Sequence, residues 1–308
     1  MSVSPRATYV FKRFGDKIPI ELDVYVPSTI DAQGKPLPVL IWFHGGGLLQ
    51  GHRGRLAAHM INGVSKYNHI LVSPDYRLAP QVRMPEIVSD VADAIKFIGE
   101  ELPVKLQEDA KVTVDINRVA TCGSSAGGWL SLLAALYIKA DIKACTAIFP
   151  ITDTRAAFWT TPQWPRGVPK IETEKVAPYL KHDAPVMTNN TPDMNRGSMY
   201  DYMLQNAILN DLLYDSTTPP AEAYAISVLV RSYPPDKALP PIYITHGDDD
   251  DKVEVAQSRE VVEALKERDP GGEGDRWVYE EVPGKNHGWD GDEGDEMTGL
   301  YAFLKKWV

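Results

Sequence analysis

The chain has 308 residues, 44% of them hydrophobic and 24% charged, an ordinary globular composition with enough apolar material for one large core. Its formal charge of −10 repels phosphate backbones and anionic membrane surfaces, so no nucleic-acid partner is expected and a small, neutral or apolar molecule fits better. The two cysteines, Cys122 and Cys145, lie inside apolar runs; their number excludes a disulfide framework, no Cys-x-x-Cys spacing offers a metal site, and no cofactor is expected.

The N-terminal run lacks the apolar core of a signal peptide, and no later run is long enough to span a bilayer, so a cytoplasmic protein is expected. Residues 9–11 and 18–26 alternate with period two, as an antiparallel opening pair with one wet face does. Continuous apolar runs at 39–43, 70–72 and 148–149 predict central strands buried on both faces. Between them Ile87, Val91, Ala94, Ile95 and Ile98 recur at helical spacing within 84–102. This strand and helix alternation predicts an α/β fold with a mostly parallel sheet. From 152 to 237 the pattern breaks into proline, methionine and aromatic residues with helical stretches and no obvious strand. Such a segment, inserted between two strands, reads as a lid on a core made of 1–151 and 238–308. A strand at 242–245, a helix at 255–268, a strand at 277–282 and a helix at 293–308 complete the chain.

Gly123-Ser124-Ser125-Ala126-Gly127 follows a strand and precedes a helical run, the place where small flanking residues let a strained turn push a serine hydroxyl outward. Ser125 has the symmetric glycine flanks and is preferred to Ser124 as nucleophile. His44-Gly45-Gly46-Gly47 ends the strand at 39–43, where the amides of Gly45 and Gly46, with that of Ala126, are candidates to hold a developing oxyanion. His44 reads as structural. A base and its orienting acid are then sought at later strand ends. His287 follows the last strand, and Asp248-Asp249-Asp250-Asp251 follows the strand before it; Asp250 is preferred, with Asp249 and Asp251 as alternatives. The acidic run at 290–296 is read as charge in the first turn of the closing helix, not as a metal site. Trp159, Trp164, Met194, Met199 and Tyr202 are candidates for an apolar substrate lining in the lid.

Ser73-Pro74-Asp75-Tyr76-Arg77-Leu78-Ala79-Pro80, together with the His-Gly-Gly-Gly loop, resembles the hormone-sensitive-lipase-like carboxylesterases, the fold-3 branch of the α/β-hydrolases. The resemblance runs from about residue 18 to 308, leaving out the lid. It implies the α/β-hydrolase fold, with helices on both faces of the sheet. It also implies a triad of Ser125, Asp250 and His287, oxyanion donors at Gly45, Gly46 and Ala126, and a structural role for Asp75, Tyr76 and Arg77. Ser124 stands where the branch usually has aspartate, and the lid is expected to cap the site largely alone. The activity so implied is hydrolysis of small to medium, apolar or aromatic esters through an acyl-enzyme. The alternatives are an acyltransferase or thioesterase of specialised metabolism using the same triad, and a non-catalytic small-molecule receptor; the expected partner is an ester or thioester, with a homodimer possible.

Overall fold

The computed structural model describes residues 4–28, 35–190 and 195–308, without the side chains of residues 16 and 195. Its sheet has eight strands: β1 (Ala7–Phe14), β2 (Ile18–Tyr25), β3 (Leu37–Phe43), β4 (Ile70–Pro74), β5 (Val114–Ser124), β6 (Ala144–Ile148), β7 (Ile242–Gly247) and β8 (Trp277–Val282). They are ordered β1-β2-β4-β3-β5-β6-β7-β8. The β1–β2 and β2–β4 pairs are antiparallel, as the period-two opening requires, and the remaining pairs are parallel.

The helices are α1 (Ala58–Lys66), α2 (Met84–Glu100), α3 (Leu102–Ala110), α4 (Ala126–Leu136), α5 (Ala157–Thr160), α6 (Thr173–Leu180), α7 (Met199–Asn206), α8 (Leu209–Leu213), α9 (Ile226–Arg231), α10 (Ala256–Arg268) and α11 (Thr298–Trp307). Strand pleating sends alternate residues of β3 to opposite faces. Val39, Ile41 and Phe43 join the core shared with α2, α4 and α10, while Leu40 and Trp42 join the one beneath α1 and α11. Helices therefore cover both faces, and β3 and β4 carry side chains that are apolar on both sides because neither side meets water. The apolar stripe of α2, with Ile87, Val91, Ala94 and Ile98 all buried, is the helix anticipated at 84–102. It stops at Glu100, and a separate helix, α3, starts at Leu102 with Pro103 in its first turn, where the missing N–H costs nothing.

One boundary differs more. The closing helix begins at Thr298 rather than 293, and its first turn holds no acidic residue. The acidic run precedes it in a 3-10 turn at Trp289–Gly291 and the loop that follows. Glycines at 291 and 294 explain the delay, since each weakens a helix by about 1 kcal/mol relative to alanine. Between β6 and β7 the described residues form only short helices and turns, with no strand. No helix of the described residues is long and apolar enough to cross a membrane.

Candidate active site

β5 ends at Ser124 and α4 begins at Ala126, which leaves Ser125 as the corner between them. It adopts φ 57° and ψ −124°. A side chain held there costs on the order of 1–3 kcal/mol and persists only where its surroundings impose it. They do so through the backbone: Ser125 N–H donates to Ile148 O at 2.9 Å, and Ser125 O accepts from Trp129 N at 3.2 Å and Ile151 N at 3.3 Å. The flanking glycines are a steric necessity. A Cβ on Gly123 would strike the carbonyl of Gly127, and one on Gly127 would strike the carbonyl of Phe43.

The loop after β3 passes directly over this corner, for a Cβ on Gly45 would lie 3.2 Å from Ser125 Cβ. Gly46 turns its carbonyl away to accept from Leu49 N at 3.0 Å and Gln50 N at 3.1 Å. Among the described residues, the N–H groups of Gly45 and Gly46 donate to no partner. Ala126 is the first residue of α4, where a helix has amides without intrahelical acceptors. These are the three amides that the sequence offers as oxyanion donors. His44 supports the loop: its buried ring stacks on Tyr76 at 4.2 Å, and Nδ1 lies 2.8 Å from Gly45 O. Burial lowers its pKa to about 3, so the ring is neutral. Tyr76 donates to His44 O at 2.7 Å, Asp75 pairs with Arg53 at 2.5 Å, and Arg77 grips Asp90 through two nitrogens at 2.8 Å. The Asp75-Tyr76-Arg77 stretch is a scaffold for the glycine loop.

Of the four consecutive aspartates, Asp250 is the one whose carboxylate meets His287, with Oδ2 at 2.7 Å from Nδ1. Asp249 and Asp251 instead hold the exposed Arg166, at 2.9 and 3.0 Å, while Asp248 accepts from Gly284 N at 2.6 Å. Oδ1 of Asp250 accepts from Lys252 N at 2.9 Å and Val253 N at 3.0 Å. Burial alone would raise this carboxyl, but hydrogen bonds from His246 and His287 outweigh it and hold the group well below the usual carboxylate range. His246 is a participant that sequence reasoning missed. Its fully buried ring places Nε2 at 3.4 Å from Asp250 Oδ2 and 2.9 Å from Val253 O, with Nδ1 2.7 Å from Ser258 Oγ. As the penultimate residue of β7 it looks like any strand residue in sequence.

Ser125, His287, Gly45 and Gly46 line one cavity of about 240 Å³. Ser125 and His287 are not hydrogen-bonded to each other, a contact that in unliganded sites often closes only with substrate. The wall is not the expected one. Trp159 and Met199 are buried in the core, Trp164 is 59% exposed, and Tyr202 places its hydroxyl 3.1 Å from Thr173 Oγ1. None of them borders the cavity, and Met194 lies outside the described residues. The segment contributes Tyr200 instead, whose ring abuts Gly47 so closely that a Cβ there would overlap it. Positions two apart on a helix point about 200° apart, so choosing Tyr202 on α7 selects the opposite face. Trp42, Gln50, Arg55, Leu56, Phe149 and Lys252 complete much of the wall.

The sequence profile of the family described as alpha/beta hydrolase fold, its fold-3 branch, matches residues 40–290. The chain belongs to that family. Over nearly its whole length this α/β-hydrolase is similar in fold to a protein of unknown function from Staphylococcus aureus Mu50. The TM-score is 0.72 at 20% identity, covering 98% of this chain and 99% of that one. It is likewise similar to apo esterase 2 of Thermogutta terrifontis, with a TM-score of 0.60 at 20% identity over 97% of this chain and 91% of the esterase. In sequence it is 30% identical over 190 residues to the non-reducing polyketide synthase ausA of Aspergillus calidoustus, covering 58% of this chain and 8% of the synthase. It is 26% identical over 304 residues to the methylphloroacetophenone synthase of Cladonia uncialis, covering 86% of this chain and 12% of that protein. The chain thus spans about a tenth of the length of these two curated relatives. Family membership supports hydrolase chemistry.

Proposed function

We propose that the protein is a serine hydrolase that cleaves small carboxylic esters through an acyl-enzyme on Ser125. The observation that carries this reading is the convergence of a strained serine, two unpaired glycine amides and an Asp250–His287 pair on one cavity. In this mechanism His287 Nε2 takes the Ser125 proton as Oγ attacks the ester carbonyl. The oxyanion is held by the N–H groups of Gly45, Gly46 and Ala126. Asp250 fixes the proton of the resting imidazole on Nδ1 and stabilises the imidazolium. The imidazolium gives its new proton to the leaving alkoxide. Water, deprotonated by His287, then releases the acid and restores the serine. Residues 152–237 act as the lid, and Tyr200 is their contribution to the wall.

A second reading, release or transfer of a thioester-bound acyl group by the same triad, is favoured by the polyketide synthases among the relatives. The first test is hydrolysis of p-nitrophenyl esters from acetyl to decanoyl, wild type beside Ser125→Ala and His287→Ala. Each variant is expected to lose about 10³-fold or more. Full activity in either variant refutes the triad. Product analysis with competing alcohol and thiol acceptors separates hydrolysis from transfer.

A further inference from the structure

The cavity contains a carboxyl group for which the proposed mechanism has no use. After His287 the chain passes through Gly288, at φ 85°, into the 3-10 turn Trp289–Gly291, and this brings Asp290 to the wall that Ser125 and His287 also line. Asp290 is 6% exposed. The backbone of its own turn is its only local source of hydrogen bonds, and among the described residues no side chain donates to its carboxyl. Arg55 borders the same cavity without forming an ion pair to it. His59 Nε2 stands 4.0 Å away, beyond hydrogen-bond reach, and is itself buried without a partner. Tyr301 gives its proton to His59 O at 2.8 Å, so its oxygen is left to accept from His59 Nδ1 at 3.3 Å. Nε2 of the neutral ring is therefore an acceptor, and it supplies nothing to Asp290.

A carboxyl at a cavity wall without a side-chain donor is costly unless the cavity's occupant provides one. Burial pushes this group up to about 7, the attraction of Arg55 and the backbone of its own turn offsetting only part of that cost. The cavity it borders also has the apolar side chains of Trp42, Leu56, Ala57 and Phe149 in its lining, two of them aromatic, beside the polar Gln50, Arg55 and Lys252. An occupant that satisfies both is a planar ring carrying an O–H. We propose that Asp290 is a specificity residue that selects, at the Ser125 cavity, esters or thioesters built on a hydroxylated aromatic ring, the ring hydroxyl donating to the Asp290 carboxyl. This rests on the serine-hydrolase reading above and adds its substrate class.

The test compares ethyl 2-, 3- and 4-hydroxybenzoates with the matching methoxybenzoates, which keep the ring and lose the donor. At about pH 8.5, where Asp290 is ionised, at least one hydroxy ester is expected to exceed its methoxy partner in kcat/KM by about tenfold or more, the factor a hydrogen bond to a charged group supplies. In Asp290→Leu that ratio is expected to fall to about one. Asp290→Asn, which keeps a weaker acceptor and the shape of the side chain, is expected to fall between. It also serves if the leucine variant does not fold. The same ratio is read in binding, as calorimetric Kd values of the wild type for hydroxy- and methoxybenzamides. A binding preference without ester turnover would count against the acyl-enzyme reading and leave Asp290 its role. Equal Kd values for every benzamide pair, or a kcat/KM ratio unchanged in both variants, overturn the inference.

Discussion

Replacing Asp250 with asparagine should disable His287 without disturbing its position, and the reason lies in how the two carboxylate oxygens are used. Oδ1 accepts two backbone N–H groups, from Lys252 at 2.9 Å and Val253 at 3.0 Å. An amide NH₂ cannot face two backbone donors, whereas near Oδ2 His246 Nε2 stands 3.4 Å off with Val253 O at 2.9 Å to accept its proton, so in Asp250→Asn the amide oxygen takes the Oδ1 place. The NH₂ is then delivered to the Oδ2 position, 2.7 Å from His287 Nδ1 in the wild type. Nδ1 is forced to accept, the ring proton moves to Nε2, and the imidazole cannot take a proton from Ser125. Trapping the wrong tautomer costs about 10⁴ in kcat, or about 5 kcal/mol of transition-state stabilisation. The assay is p-nitrophenyl ester hydrolysis, with circular dichroism to show that the variant is folded and nitrogen-15 NMR to locate the ring proton. An Asp250→Asn enzyme within tenfold of wild type, or one whose His287 keeps its proton on Nδ1, refutes the reasoning.

Other consequences can be checked separately. His246→Leu removes a partner from Asp250, Val253 O and Ser258 Oγ together; kcat/KM should fall about tenfold and urea unfolding should show a loss of about 2 kcal/mol. Gly127→Ala places a Cβ on the Phe43 carbonyl, and a destabilisation above about 3 kcal/mol is expected from denaturant titration. Arg196, fully buried, donates to Leu49 O, Ala79 O and Gln81 Oε1, tying its segment to the core. Arg196→Met should cost about 3 kcal/mol and speed limited proteolysis of that segment. For Asp290 the folded pKa of about 7 lies above that of the unfolded chain, near 3.9. The folded state therefore holds a proton that the unfolded chain has released, and stability declines as pH rises between those two values and is level above them. Asp290→Asn should flatten this slope, which between pH 5 and pH 8 amounts to up to about 2.7 kcal/mol, as read by urea unfolding at those two values.

Much of this architecture is written in local patterns. Apolar runs at 39–43 and 70–72 declare strands with no wet face, and the spacing of Ile87, Val91, Ala94 and Ile98 declares a helix, because burial selects residues by periodicity that neighbours in sequence already show. The flanks of Ser125 are equally local: a turn that admits no Cβ at 123 or 127 can be read from its glycines. What the sequence leaves open are contacts made across the sheet's carboxyl edge. Four aspartates in a row are alike until folding carries 249 and 251 to Arg166 and 250 to His287. His246 acquires its role from a loop that folds back to set Asp250 against it, and Tyr200 rather than Tyr202 meets the glycine loop because of the rotation of α7. Asp290 shows the limit most plainly. In sequence it belongs to an acidic run suited to a helix end, yet the 3-10 turn after His287 puts it in the cavity wall. Secondary structure follows from short-range sterics and hydrophobic spacing, which the linear order carries. Which side chains share a cavity depends on distances that only close when the sheet is assembled.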